Sequence, residues 1–153
     1  MGDQRERDSE RERERERERA ERRERADYHV EATRRRRAQE SARAQVLVDQ
    51  FVADARAAGL AVRDLTAKPY SGRGRYRTGR RGWYLRRDQN LAIGEDGAYL
   101  VLVVPPDRWG RLRGVTVEPS DPPLQVGEGA RDGESIALKS LLALRLEAGD
   151  DFP

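Results

Sequence analysis

The chain has no cysteine, one histidine and two lysines in 153 residues. Without cysteine there can be no disulfide, no thiolate metal ligand and no cysteine nucleophile. The lone His29 stands beside Tyr28 in a charged stretch, away from any rigid frame on which catalytic or metal-binding partners could converge. Ser-His and Cys-His nucleophilic catalysis are therefore excluded from the rest of the chain. No apolar run approaches the ~18 residues of a membrane span. The N-terminal residues show no apolar signal-peptide core, so a cytoplasmic location is expected. No GxxxxGK[ST] is present, and the Gly72-Arg73-Gly74 start of a GxGxxG fails at Arg77. No cofactor and no metal site is expected.

Large apolar residues are also scarce at the front. Residues 1–43 hold three (Met1, Tyr28, Val30), whereas the remaining 110 hold 34. Only the second block can bury a core. The expected organisation is a charged low-complexity extension over 1–37, disordered or a solvated helix, followed by one small domain over 38–153.

What the chain does have is charge, and its arrangement matters more than the net +3. Residues 10–19 alternate Glu and Arg. On a helix, residues three apart then have opposite charge and residues four apart have like charge, so the two effects nearly cancel. No apolar residue occurs from Gln4 to Arg19, which excludes a coiled-coil seam there. Residues 63–87 carry a net +8 and residues 88–153 a net −6. Of the 31 basic residues, all but Lys68 and Lys139 are Arg, an excess that GC-rich coding alone can produce.

The apolar spacing of Ala44, Leu47, Val48, Phe51, Val52 and Ala55 predicts a helix over 38–58, stopped by Gly59. Beyond it the period changes. Residues 60–65 read as a short strand. Trp83, Leu85, Leu91 and Ile93 alternate with polar neighbours, and Gly94-Glu95-Asp96-Gly97 reads as a turn. Tyr99–Val104 is apolar on both faces and reads as a central strand. Residues 115–117 and 124–126 read as two more. A second amphipathic helix is expected over 134–147, with an N-cap at Asp132 or Ser135, Glu134 near its start and Arg145 near its end. The fold class is α+β: an antiparallel meander of four or five strands, flanked by an N-terminal and a C-terminal helix packed on one face.

Catalytic groups are thin. Ser71, Ser120, Ser135 and Ser140 lack an evident base, and the carboxylate pairs Glu95/Asp96, Asp132/Glu134 and Asp150/Asp151 fall in turns and at the terminus. A non-enzymatic protein is expected, with no catalytic residue assigned.

The richest stretch runs from Tyr70 to Arg87, with seven Arg, four Gly, four aromatics and no acid. Arg neutralises phosphates and displaces their counterions, Tyr and Trp stack on exposed bases, and Gly admits close backbone approach to an anion. The expected contact residues for nucleic acid, RNA or DNA, are Arg73, Arg75, Tyr76, Arg77, Arg80, Arg81, Arg86 and Arg87. Arg34, Arg35, Arg36 and Arg37 form a candidate second basic patch. Trp83 and Leu85 are expected in the core and Trp109 as a partly buried loop anchor. The competing expectation is a protein-interaction or structural module with no nucleic-acid affinity. An acidic protein partner would satisfy the same charge.

Overall fold

A computed structural model describes residues 2–127 and 134–152. The chain divides into two units, Met1–Gln39 and Glu40–Pro153. It is mixed α+β.

Helix α1 runs from Gly2 to Ala57, so the extension takes the solvated-helix alternative and is continuous with the helix expected over 38–58. Glu, Arg and Ala dominate its first half. These are good helix formers, and neither Gly nor Pro interrupts residues 3–58. The ion pairs on 2–39 are Asp3–Arg7 at 2.7 Å, Glu21–Arg25 at 3.8 Å and Glu31–Arg34 at 2.8 Å. None falls within the alternating run 10–19, as expected where residues four apart repel. The helix ends as the sequence suggests: Gly59 takes φ +70°, and the Leu60 N–H donates to the Ala55 carbonyl at 2.9 Å.

Five strands follow: β1 (Arg63–Pro69), β2 (Tyr76–Tyr84), β3 (Leu91–Gly94), β4 (Tyr99–Val101) and β5 (Val103–Val104). Their order is β4-β3-β2-β1-β5, antiparallel except for a parallel β1–β5 pair. Thus β4 and β5 occupy opposite edges although only Leu102 separates them. The Leu102 N–H donates to the Asn90 carbonyl, and the Leu102 carbonyl accepts from the Lys68 N–H, both at 2.8 Å. One short segment therefore bonds to both edges and closes the sheet on itself. The run 99–104 is not an interior strand of an open meander but the closing strand.

Closure explains why alternate residues of the same strands are apolar. Trp83, Leu85, Leu91, Ile93 and Tyr99 face Val48 and Phe51 of α1 and Leu138, Leu141 and Leu142 of the C-terminal helix in one core. The intervening Tyr84, Ala92, Leu100 and Leu102 join Leu65, Ala67 and Val117 in a second core inside the curled sheet. Phe51 meets Trp83 edge to face, with ring centroids 5.8 Å apart, a geometry that adds about 1 kcal/mol to burial alone.

A two-stranded ribbon, β6 (Gln125–Val126) with β7 (Ile136–Ala137), precedes α3 (Leu138–Ala148) and a 3-10 turn, Gly149–Asp151. The second helix therefore starts later than expected. Residues 136–137 pair with β6, and the Leu138 N–H, an orphan donor of the first turn, finds the Leu124 carbonyl at 2.8 Å. Glu134 and Ser135 lie before the helix rather than at its cap, and Asp132 is outside the described residues. Residues 115–117 form no strand: the Val115 N–H binds the Arg77 carbonyl instead.

Candidate nucleic-acid interface

The Arg-rich stretch is not a free loop. Half of it is strand β2, held between β1 and β3. Asp64 pairs with Arg81 and Thr66 with Arg77, so Leu65 alone faces residues 78–80 of β2. This bulge is pinned by Thr78, whose hydroxyl donates to the Leu65 carbonyl at 2.6 Å and accepts from the Arg80 N–H at 3.1 Å. Gly79 takes φ +69° within it, a conformation that a side chain would strain.

A nine-residue strand is about 30 Å long, so the eight expected contact residues do not share one spot. Tyr76 is the clearest departure. It is buried, only 5% exposed, and its hydroxyl accepts from the Asp107 N–H at 3.1 Å. Gly110 packs so closely on its ring that a Cβ there would lie 2.9 Å from two ring carbons. Tyr76 is an anchor and offers no face to a base.

At the far end of β2 and beyond it, Arg80, Arg81 and Arg86 each lie within 4 Å of a carboxylate: Asp96 at 3.5 Å, Asp64 at 3.5 Å and Asp88 at 3.7 Å. Arg80 also donates to the Val117 carbonyl at 2.9 Å. Their positive field is partly answered within the molecule. Arg87 is exposed beside them in the β2–β3 loop.

The near end is different. Pro105 and Pro106 end the closing segment. The Asp107 carboxylate then accepts from the Trp109 N–H at 2.8 Å, and the short helix α2 (Gly110–Arg113) starts. This helix docks on the start of β2. The Arg77 fork donates to the Leu112 carbonyl at 3.0 Å, and the Arg111 fork to the Arg73 carbonyl at 2.8 Å. Arg75 donates to the Thr66 hydroxyl and, at 2.9 Å, to the Thr66 carbonyl. Arg108 and Arg113 flank the Trp109 ring, with guanidinium carbons 5.9 and 6.0 Å from its centroid.

Six arginines thus gather at one end of the sheet: Arg73, Arg75, Arg77, Arg108, Arg111 and Arg113. Segments 70–77 and 105–114 contribute a single acid between them, Asp107. Trp109, expected as a loop anchor, is 53% exposed, and Tyr70 and Leu112 are each 69% exposed. The Tyr70 N–H ties this side chain to the same end through the Val104 carbonyl at 3.0 Å. Sequence reasoning missed Arg108, Arg111 and Arg113 as contact residues. Their one local signal was an Arg-Trp-Gly-Arg run after two prolines, and only tertiary docking places it beside Arg73.

Arg34 to Arg37 lie on α1, in the unit Met1–Gln39. Successive helical residues turn by about 100°, so four consecutive arginines spread around the helix and cannot form one face. Arg34 is already paired with Glu31.

Two carboxylates of the acidic pairs hold backbone N–H groups. Asp96 accepts from the Ala98 N–H at 3.1 Å and Asp150 from the Ala61 N–H at 2.8 Å. Among the described residues no group of three or more His, Asp or Glu is placed to hold a metal. No described helix is long and apolar enough to cross a membrane. No protein-family model, curated protein or solved structure matches this chain.

Proposed function

We propose that the chain is a non-enzymatic nucleic-acid-binding module whose contact surface is the end of the sheet formed by residues 70–77 and α2 with its flanks. The observation that carries this reading is the convergence of six arginines and an exposed tryptophan from two segments some thirty residues apart, with one acid among them. Phosphate neutralisation with counterion release supplies affinity. Arg75, Arg77 and Arg111 already donate to backbone carbonyls, so part of each fork is fixed in place while its remaining N–H groups stay available. That ordering lowers the entropy lost on binding. Nothing in the patch resembles a helix or ribbon shaped to read base edges in a groove, so weak sequence specificity is expected.

The test is fluorescence anisotropy of the full chain with labelled nucleic acid across a salt series. Engagement of all six arginines with a single strand gives a log–log salt slope of about −4, at roughly 0.7 per phosphate. Replacing Arg73, Arg108 and Arg113 with Ala is the first variant, because the other three also hold backbone. It should weaken binding and flatten the slope by about half. Replacing Arg34 to Arg37 with Ala should change little. The reverse pattern would move the contact to α1. No salt-sensitive binding by the unmodified chain would leave an acidic protein as the partner to seek.

A further inference from the structure

The two tryptophans differ in a way that phosphate binding does not explain. Trp83 is 1% exposed, packs on Phe51 and donates from its indole N–H to the Leu60 carbonyl at 3.3 Å. Trp109 keeps half of its surface in water, although its backbone is pinned on both sides. Its N–H is held by Asp107, and its carbonyl accepts from the Leu112 and Arg113 N–H groups. The ring is therefore presented by a fixed turn. The guanidiniums of Arg108 and Arg113 lie over the ring, 5.9 and 6.0 Å from its centroid, and the exposed Tyr70 and Leu112 lie at the same end of the sheet. An aromatic face held in this way among cations matches the two needs of an unpaired strand: a π-surface for a base and positive charge for the flanking phosphates. In a duplex the bases are already stacked on one another and offer no free face.

We infer that the occupant of this surface is a single-stranded nucleic acid, with Trp109 as the platform on which an unpaired base stacks and Arg108 and Arg113 as contacts to the neighbouring phosphates. This inference rests on the nucleic-acid reading of the same patch. Stacking tolerates any base, so the preference is for strandedness rather than sequence. RNA and DNA single strands share this chemistry, and separate probes distinguish them.

The experiment uses the full chain with oligo-dT, oligo-rU and a duplex of equal length, followed by anisotropy and by tryptophan emission. Trp83 is buried, so a change in the exposed-indole emission reports Trp109. Both single strands, or one of them, should quench it and bind more tightly than the duplex. Trp109→Ala should weaken single-strand affinity by about 5- to 100-fold while leaving duplex affinity unchanged, and Trp109→Phe should restore part of the loss. Because the ring is half exposed, Trp109→Ala should fold; Tyr70→Ala, at a more exposed position, gives a second reading of the aromatic contribution. Equal affinity for duplex and single strands, with no quenching and no effect of Trp109→Ala, would overturn the inference and leave the charged patch standing. Loss of all binding sensitivity to the Arg73, Arg108 and Arg113 substitutions would instead remove the patch reading, and this inference with it.

Discussion

Arginine does different work in the two units of this chain. Along residues 2–39 it alternates or mixes with Glu on an exposed helix, and its ion pairs join side chains that are mostly in water. Such pairs contribute about 0–1 kcal/mol and are screened by salt. In residues 40–152 some guanidiniums also lie beside carboxylates, but several reach backbone carbonyls. Arg56 binds Glu95, Arg75 binds Thr66, Arg77 binds Leu112, Arg80 binds Val117, Arg111 binds Arg73 and Arg145 binds both Tyr84 and Gly149. A closed sheet of short strands with long connections leaves many carbonyls without a ladder partner. A long side chain with five donors can satisfy them from a distance. The same residue type, abundant in both regions, is solvated charge along the helix and, at six positions of the second unit, a tie to the backbone.

The largest expected effect lies at Arg145. It is 5% exposed, donates at 2.6 Å to the Tyr84 carbonyl and 2.7 Å to the Gly149 carbonyl, and stacks on Phe152 at 4.3 Å. Burial lowers its pKa, helped by Arg63 and opposed by Asp150. Arg145→Ala should cost about 3 kcal/mol in urea unfolding, since a buried and a part-buried carbonyl lose a charged donor. Arg145→Lys, with one point charge in place of a fork, should recover less than half. An Arg145→Ala loss below about 0.5 kcal/mol, the range of an ordinary surface substitution, would erase the contrast between the regions.

Next comes Gly110. A Cβ there meets the Tyr76 ring at 2.9 Å, so Gly110→Ala must displace α2 or Tyr76, at about 1–3 kcal/mol. It should also lower nucleic-acid affinity, since α2 carries Arg111 and Arg113. Unchanged stability would mean that α2 is not docked as described.

A smaller effect is expected in alkali. Burial raises the Tyr99 phenol above its ordinary 10.0, against the pull of Arg86. The unfolded chain then ionises first, so stability should fall as the pH rises past 10.0 toward the folded value. Tyr99→Phe should flatten that decline, measured as melting temperature against pH.

The smallest effect tests the other side of the comparison. Arg7 pairs with Asp3 at 2.7 Å, but both side chains are at least two-thirds exposed. Arg7→Ala should leave the unfolding midpoint where it was. A clear shift would show that the solvated helix contributes more than its exposure allows.

Much of the fold was legible in local pattern. The apolar spacing of Ala44 to Ala55 marks the buried stripe of α1, Gly59 and Gly149 mark helix ends, and the alternation through Trp83, Leu85, Leu91 and Ile93 marks one sheet face. The start of α1 was not legible, because charged residues with good propensity carry no apolar period. The candidate site was legible only in part. Composition singled out residues 72–87, yet Tyr76 is internal and Arg80, Arg81 and Arg86 lie beside acids. The second half of the basic cluster, Arg108 to Arg113, comes from elsewhere in the chain.

The sequence by itself determined which residues carry charge, which spacings make helix or strand, and that no thiol chemistry exists. Those properties act between near neighbours, within a helical turn or a strand pleat. Tertiary structure alone decided that residues 99–104 close the sheet and that α2 packs on Tyr76. Both depend on hydrogen bonds and packing between residues some twelve to thirty-eight positions apart. The loop-closure entropy of such contacts is offset only when many of them form together, and no local pattern records which ones do.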